Sequence, residues 1–393
     1  MKNIIFITLL ISSTIFGQVD TEVHVFDIEK IENGYNLING KNISNNKGYD
    51  NQPSFFDDYR VVFSSFRTFN VDIALYNLRM NNPELYYISE TQYGGEYSPQ
   101  RIPYSSDVSA VRLNKSGLQR FYRYHFKSKK HTLLIEDLKV AYPTWYDRNT
   151  VIASVIVNDS LELFICDIPN KKNISVAKNV GRSVHKIPNS DLISFVSKEN
   201  KDYWLLKSLN PNTKEIKTIT SLGKSEDVTW FPDGTLLISK GKSIYKFNPT
   251  TDKKPSLFYA FSDENINNIT RMAVNKSGTK IAIVAEVSPR HLAQEQLDAY
   301  NNRDIDAFLK PFADNVKVYN FPNELSYEGV TKMRERYENF FKNTTDLHCE
   351  LLNRIVYENK VIDHELVTVN GQKFKAVAIY TIQNGKIASV TFM

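Results

Sequence analysis

A repeat of about 44 residues runs through the middle of the chain, and it constrains the fold more than any other feature. A short strand, a turn and a second strand align on Phe55, Arg101, Trp145, Ile187, Trp230 and Val274, with successive spacings of 46, 44, 42, 43 and 44 residues. Self-similarity at a period of roughly 40 to 45 residues marks propeller blades, in which each unit is a small antiparallel sheet that buries its faces only against its neighbours. Each anchor is followed by an alternating or apolar run of strand length, such as Arg60–Ser64, Thr150–Ser154, Leu192–Phe195, Thr235–Ile238 and Lys280–Val284. Further strands end in polar turns, as in Asp72–Leu78 and Ser243–Pro249. The sixth unit lacks its outer strands, because the pattern changes soon after Val287. Two strand-like runs near the amino terminus, Thr21–Ile28 and Tyr35–Ile43, are expected to complete it and close the ring, which leaves no open sheet edge. A six-bladed, all-β propeller is expected over residues 18–288. Trp145 and Trp230 are read as packing between blades.

The first 17 residues read as an export signal. Met1-Lys2-Asn3 precedes the uncharged run Ile4–Ile15, and Gly17 offers a small residue before a cleavage point, so the mature chain is expected to begin near Gln18 and to reside in the periplasm or outside the cell. A dozen apolar residues fall short of the about 20 that a spanning helix needs, and no second such run occurs, so no membrane span is expected. The two cysteines, Cys166 and Cys349, lie inside apolar runs in different parts of the chain and are expected to be buried free thiols. The 49 basic and 44 acidic side chains are interspersed, so a net charge of +5 creates no extended field for nucleic acid to follow. Lys127, Lys129 and Lys130, like Lys253 and Lys254, read as solvated turn charge.

From Pro289 the apolar period changes from 2 to 3.6. Leu292, Leu297, Tyr300, Ile305, Phe308 and Phe312 mark two helical stretches, with Asp304 as cap of the second. A short strand at Val316–Tyr319, a helix at Val330–Phe341 and three alternating strands over residues 347–357, 360–369 and 374–383 follow. Asn384-Gly385, the strongest hairpin dipeptide, then turns the chain into a last strand, Ile387–Met393. Helices followed by an antiparallel sheet define a small α+β unit over residues 289–393.

The repeat wording Gly48-Tyr49-Asp50-Asn51-Gln52-Pro53-Ser54-Phe55, Asp72-Ile73-Ala74-Leu75-Tyr76 and Trp230-Phe231-Pro232-Asp233-Gly234-Thr235 resembles the degenerate repeats of TolB-like six-bladed propellers. That resemblance implies a platform for an unidentified protein or peptide. Some such propellers gate a hydrolase, but the chain has no Gly-x-Ser-x-Gly elbow, no His-Glu-x-x-His and no phosphate or dinucleotide glycine motif. The segment after the propeller is also too short for an α/β-hydrolase, which needs on the order of 200 residues.

The carboxy-terminal segment resembles the nuclear transport factor 2-like superfamily, in particular its SnoaL-like and ketosteroid-isomerase-like members. The resemblance rests on Ala299–Phe308, on Phe312–Val318, on Tyr327-Glu328-Gly329 and on Asn384–Ile387. It implies a cone with an apolar pocket for a small apolar ligand, and a homodimer through the sheet. Carried over by position, the isomerase base falls at Asn320, its hydroxyl donor at Gln296 and its acid near Ala378, so the resemblance implies that steroid isomerisation is lost. The ionisable or polar groups left as candidates for a ligand pocket are Asn320, Tyr337, His348, Arg354, His364 and Glu365. His348 and Glu350 share a strand face, with Asp363-His364-Glu365 on the next strand. An acid/base histidine or a weak metal site is the functional reading of this group, and ordinary hydrogen bonding is the other. No catalytic residue, cofactor or metal is assigned. The expectation is an exported two-domain binding protein, with an enzyme using His348 or His364 as proton carrier as the alternative.

Overall fold

The computed structural model describes residues 20–393 apart from 33, 47, 68, 69, 93 and 264. The expected export signal at residues 1–17 lies outside the described residues. No helix among the described residues is long and apolar enough to cross a membrane.

Between Thr21 and Glu286 the chain is built of antiparallel strands in four four-stranded sheets and one eight-stranded sheet. The larger sheet is two antiparallel groups, Asp50–Tyr87 and Gly95–Ile135, which touch at a single parallel bridge from Val71 to Gly95. The central strands are apolar runs: Val61, Val62 and Phe63, or Ile281, Ala282 and Ile283, have no exposed surface. Such runs suit strands covered on both faces by neighbouring sheets. The first strands of successive groups contact one another in order, Asp50–Phe55 with Gly95–Arg101, then Val140–Trp145, Val180–Lys186, Val228–Trp230 and Asn267–Val274, which in turn contacts Asp50–Phe55.

The two amino-terminal strands do not form a sheet of their own. Thr21–Ile31 pairs antiparallel with Lys280–Glu286, in register from Thr21 opposite Glu286 to Asp27 opposite Lys280, and Gly34–Asn42 pairs on its other side. Val287 N donates to Asp20 O at 3.1 Å, and Ile28 N to Thr279 O at 2.8 Å, extending the seam at both ends.

The tryptophan anchors cross between groups. Trp145 Nε1 donates to Ser109 Oγ at 2.9 Å and Trp230 Nε1 to Ser194 Oγ at 2.8 Å, in each case reaching the second strand of the preceding group. An indole buried between sheets needs such an acceptor, because its N–H would otherwise lose water without replacement. Cys166 and Cys349 are free and buried.

The rest of the chain forms a separate six-stranded sheet with three helices. In spatial order the strands are Glu324–Glu328, Phe312–Asn320, Lys386–Phe392, Gln372–Gln383, Lys360–Val369 and His348–Tyr357, and only Phe312–Asn320 against Lys386–Phe392 is parallel. Helix α1 (Pro289–Asn302) starts at the cap Ser288, whose Oγ accepts from Arg290 N. Helix α2 (Ile305–Leu309) is capped by Asp304, whose Oδ1 accepts from Asp306 N and Ala307 N at 3.1 Å each. Helix α3 (Val330–Asn343) follows Gly329, whose φ of 94° suits a residue without a side chain. Phe312, read in the sequence as helical, instead opens a strand. Its ring packs 5.4 Å from Phe308, so the apolar spacing continues although the helix has ended. The strand Glu324–Glu328 has no counterpart in the sequence reading, because its residues are mostly exposed and show no alternation of burial.

At the start of Asp50–Phe55 one side chain is badly placed for charge. Asp50 has no exposed surface and neither of its carboxylate oxygens has a hydrogen-bond partner. Burial pushes its pKa from 3.8 up to about 8, and the charges of Glu22 and Asp20 act in the same direction. An acid whose folded pKa lies above its unfolded one favours folding below the unfolded pKa, and that contribution is lost as pH rises through the folded pKa. Asp50→Asn is therefore expected to stabilise the protein by about 1–3 kcal/mol at pH 8 and to change little at pH 4. Thermal melts of both proteins across that range check the sign.

Candidate functional site

The cone holds two cavities that share Tyr300, Tyr337 and Phe392 as walls. The outer one has a volume of about 470 Å³ and also carries Asn320, Ser326, Tyr327 and Arg336. The inner one, about 150 Å³, lies among Phe308, Phe312 and Met333 and ends at Gln296, Glu365 and Tyr380. The aromatic wall is locked by ring contacts, with Phe308 and Tyr337 centroids 4.6 Å apart and Tyr300 edge-on to Tyr337 at 6.3 Å. Rings that interlock in this way fix the cavity's shape, so it exists before any ligand arrives.

Strand parity decides which side chains enter the cone. Along Lys360–Val369 the residues Val361, Asp363, Glu365 and Val367 are buried, while Ile362, His364 and Leu366 alternate with them on the other face. On His348–Tyr357, Cys349 turns inward and His348 and Glu350 are exposed. Asn320, Tyr337 and Glu365 accordingly line the cavities. His348 and His364 line neither, since both stand on the outer face of the sheet. Arg354 lines neither cavity and lies behind the inner one.

The inner end is a chain of polar groups in an apolar surround. Gln296 Nε2 donates to the Tyr380 hydroxyl at 2.8 Å, and that hydroxyl donates to Glu365 Oε1 at 3.5 Å. Glu365 is only 5% exposed, and burial, reinforced by the charge of Asp363, pushes its pKa up to about 7. Burial also drives the tyrosine hydroxyls of Tyr300, Tyr337 and Tyr380 and the Cys349 thiol upward, so all four stay neutral and Cys349 is a poor nucleophile. Glu365 is thus the one group of the inner end able to exchange a proton near neutral pH.

Behind it, Asp363 and Arg354 form a buried bidentate pair. Arg354 Nε and Nη2 each donate to an Asp363 oxygen at 2.6 Å, and Nη1 donates to Gln294 Oε1 at 2.7 Å. Their side chains are 5% and 0% exposed. The pair is in direct register across the two strands and so ties α1 to the sheet. Among the described residues no three His, Cys, Asp or Glu side chains converge to hold a metal.

From the sequence Gln296 stands out only as a lost isomerase position and Cys349 only as a buried free thiol, while Tyr380 carries no signal of its own. The signal for the inner end was nevertheless present: Asp363 and Glu365 have the parity of Val361 and Val367, which puts two carboxylates on a strand's apolar face.

A third cavity, about 80 Å³, lies where the six first strands of the larger part meet, with Gln52, Gln100, Tyr142, Arg182, Asp227 and Arg271 among its walls. Arg182 and Arg271 both donate to Asp227, at 2.6 to 3.1 Å. His185 beside them is pushed down to about 4 by burial and by the Arg271 charge, and is neutral at pH 7.

The SnoaL-like domain family matches residues 293–390. No curated protein matches the chain. Among solved structures, the putative TolB from Agrobacterium tumefaciens aligns at a TM-score of 0.53 and 10% identity, covering 69% of this chain and 99% of its own. An uncharacterized cystatin fold protein from Novosphingobium aromaticivorans is 23% identical and covers 27% of this chain and 98% of its own, with a TM-score of 0.26. A putative polyketide cyclase from Sinorhizobium meliloti is 21% identical and covers 26% and 94%, with a TM-score of 0.24. The chain thus carries a SnoaL-like domain at its carboxy-terminal end. Its larger, preceding part shares the fold of a TolB-like propeller.

Removing one partner of a buried ion pair leaves the other charge without compensation. Arg354→Ala is expected to destabilise the protein by about 3–5 kcal/mol, whereas Arg354→Met combined with Asp363→Leu recovers most of that loss. Urea unfolding of the full chain, followed by circular dichroism, measures both.

Proposed function

We propose that the protein is an exported two-domain binding protein. Residues 1–17 are the export signal, which sends the mature chain to the periplasm or beyond. Residues 18–288 form a six-bladed ring sealed by the amino-terminal strands and act as a platform for a protein or peptide. Residues 289–393 form the cone, which holds a small apolar molecule and offers its outer sheet face for dimerisation. The cyclic contacts of the first strands and the pairing of Thr21–Ile31 with Lys280–Glu286 support the ring. Exposed Leu352, Ile355 and Tyr357 on the edge strand of the cone support a dimer.

The observation that carries the binding reading is the preformed aromatic cavity closed at its inner end by Gln296, Tyr380 and Glu365. Apolar walls with a few convergent polar groups are the usual make-up of a small-molecule site. With Glu365 protonated, the inner end presents a carboxylic acid donor to a ligand oxygen such as a ketone or lactone carbonyl.

The same Glu365 supports a second reading, an acid/base catalyst, because a carboxyl that titrates near pH 7 can both give and accept a proton there. Titration of the full chain with a panel of apolar ketones and lactones, by calorimetry and with product analysis, separates the two. Binding is expected without turnover, weakened about tenfold by Tyr337→Ala. Affinity is expected to be highest below pH 7 and to fall above it as Glu365 loses the proton it donates. Turnover abolished by Glu365→Gln replaces the binding reading with the catalytic one, and absence of any saturable binding removes both.

A further inference from the structure

The charged side chains of α3 are paired with one exception. Lys332 pairs with Glu335 at 2.9 Å, Arg334 with Asp306 at 2.6 Å and Lys342 with Glu338 at 3.0 Å. Arg336 has no carboxylate partner among the described residues. It lies over the ring of Tyr327, with its Cζ 4.3 Å from the centroid, and it lines the outer cavity.

Stacking on Tyr327 engages the face of the guanidinium and leaves its N–H edge free, and that edge forms the planar fork that matches a carboxylate. Asn320 and Ser326 line the same cavity and add an amide and a hydroxyl. The carboxylate that stands opposite Asn320 in the strand pairing, Glu324, is not part of the cavity wall. Inward from Arg336 the walls are the rings of Tyr300, Tyr337, Phe340 and Phe392. An unpaired cation at the open end, aromatic walls beyond it and a buried carboxyl at the far end fix the polarity of a fitting molecule. The anionic group belongs at the mouth, because the inner end offers it no free cation: Arg354 is taken up by Asp363 and lines neither cavity.

We propose that the ligand of the cone is an apolar carboxylic acid, bound as its anion with the carboxylate on Arg336 and the hydrocarbon or aryl body inside. This rests on the reading of the cone as a small-molecule site and assigns the ligand's chemical class.

The test compares phenylbutyrate with phenylbutanol, which share a body and differ in the anionic group, by calorimetry on the full chain, its Arg336→Gln and Arg336→Lys variants, and Tyr337→Ala. The wild type is expected to prefer phenylbutyrate by about tenfold, as a charge-assisted contact at a partly exposed rim supports. Arg336→Gln is expected to remove the preference by weakening phenylbutyrate far more than phenylbutanol, and Arg336→Lys to keep part of it. Raising salt is expected to weaken only the acid. Equal affinity of the two probes in the wild type, with both weakened by Tyr337→Ala, overturns the carboxylate assignment and leaves the cavity reading standing. A preference that survives Arg336→Gln also overturns it, and binding of neither probe removes it together with the cavity reading.

Discussion

The pairing of Thr21–Ile31 with Lys280–Glu286 is the interaction on which the arrangement of the larger part depends. A row of small sheets that bury their faces against one another has two ends, and each end exposes apolar surface and unpaired backbone groups. Main-chain hydrogen bonds hold Thr21–Ile31 on Lys280–Glu286, and they tolerate sequence change because they use no particular side chain. The seam also sets where the next part begins. Val287 donates to Asp20, the next residue caps α1, and the chain passes from strand to helix within a few residues of the closing contact.

In the cone the controlling factor is strand parity. A strand that alternates between a packed interior and an outer face gives each residue a side with no intermediate choice, and one position of slippage would exchange all of them. The interior positions of Lys360–Val369 carry Val361, Asp363, Glu365 and Val367, so the sequence places two acids where only apolar side chains would be comfortable. Asp363 is accommodated by Arg354, which meets both of its oxygens. Glu365 has no cation of its own and is offered only the weak donors of Cys349 and Tyr380, and that inequality separates a structural carboxylate from a chemically available one.

Much of this was legible in the sequence. The 44-residue period, the assignment of the first two strands to the last group, the two tryptophans as contacts between groups and the four carboxy-terminal strands follow from spacing and alternation, which are local signals. What the sequence obscured depends on pairing across distance. His348 and His364 drew attention as ionisable residues, but which parity faces inward is fixed by how the helices cover the sheet. Tyr380 gains its role only because Gln296, far away in the chain, lies beside it. Arg354 is legible in the sequence only as a candidate pocket residue, and its partner could be identified only once the register against Asp363 was known.

The seam has a temporal side as well. Strands made first must wait for a partner made last, because the hydrogen-bonding edge of Thr21–Ile31 is completed by residues near the end of the larger part. Loop closure over so long a separation slows folding, and until it happens the first strand presents an open, adhesive border. During synthesis the nascent chain therefore cannot finish this part from the amino terminus onward. It must keep its opening segment in reserve until Lys280–Glu286 has emerged, and the α1 helix that follows is the first element able to form after that strand is in hand.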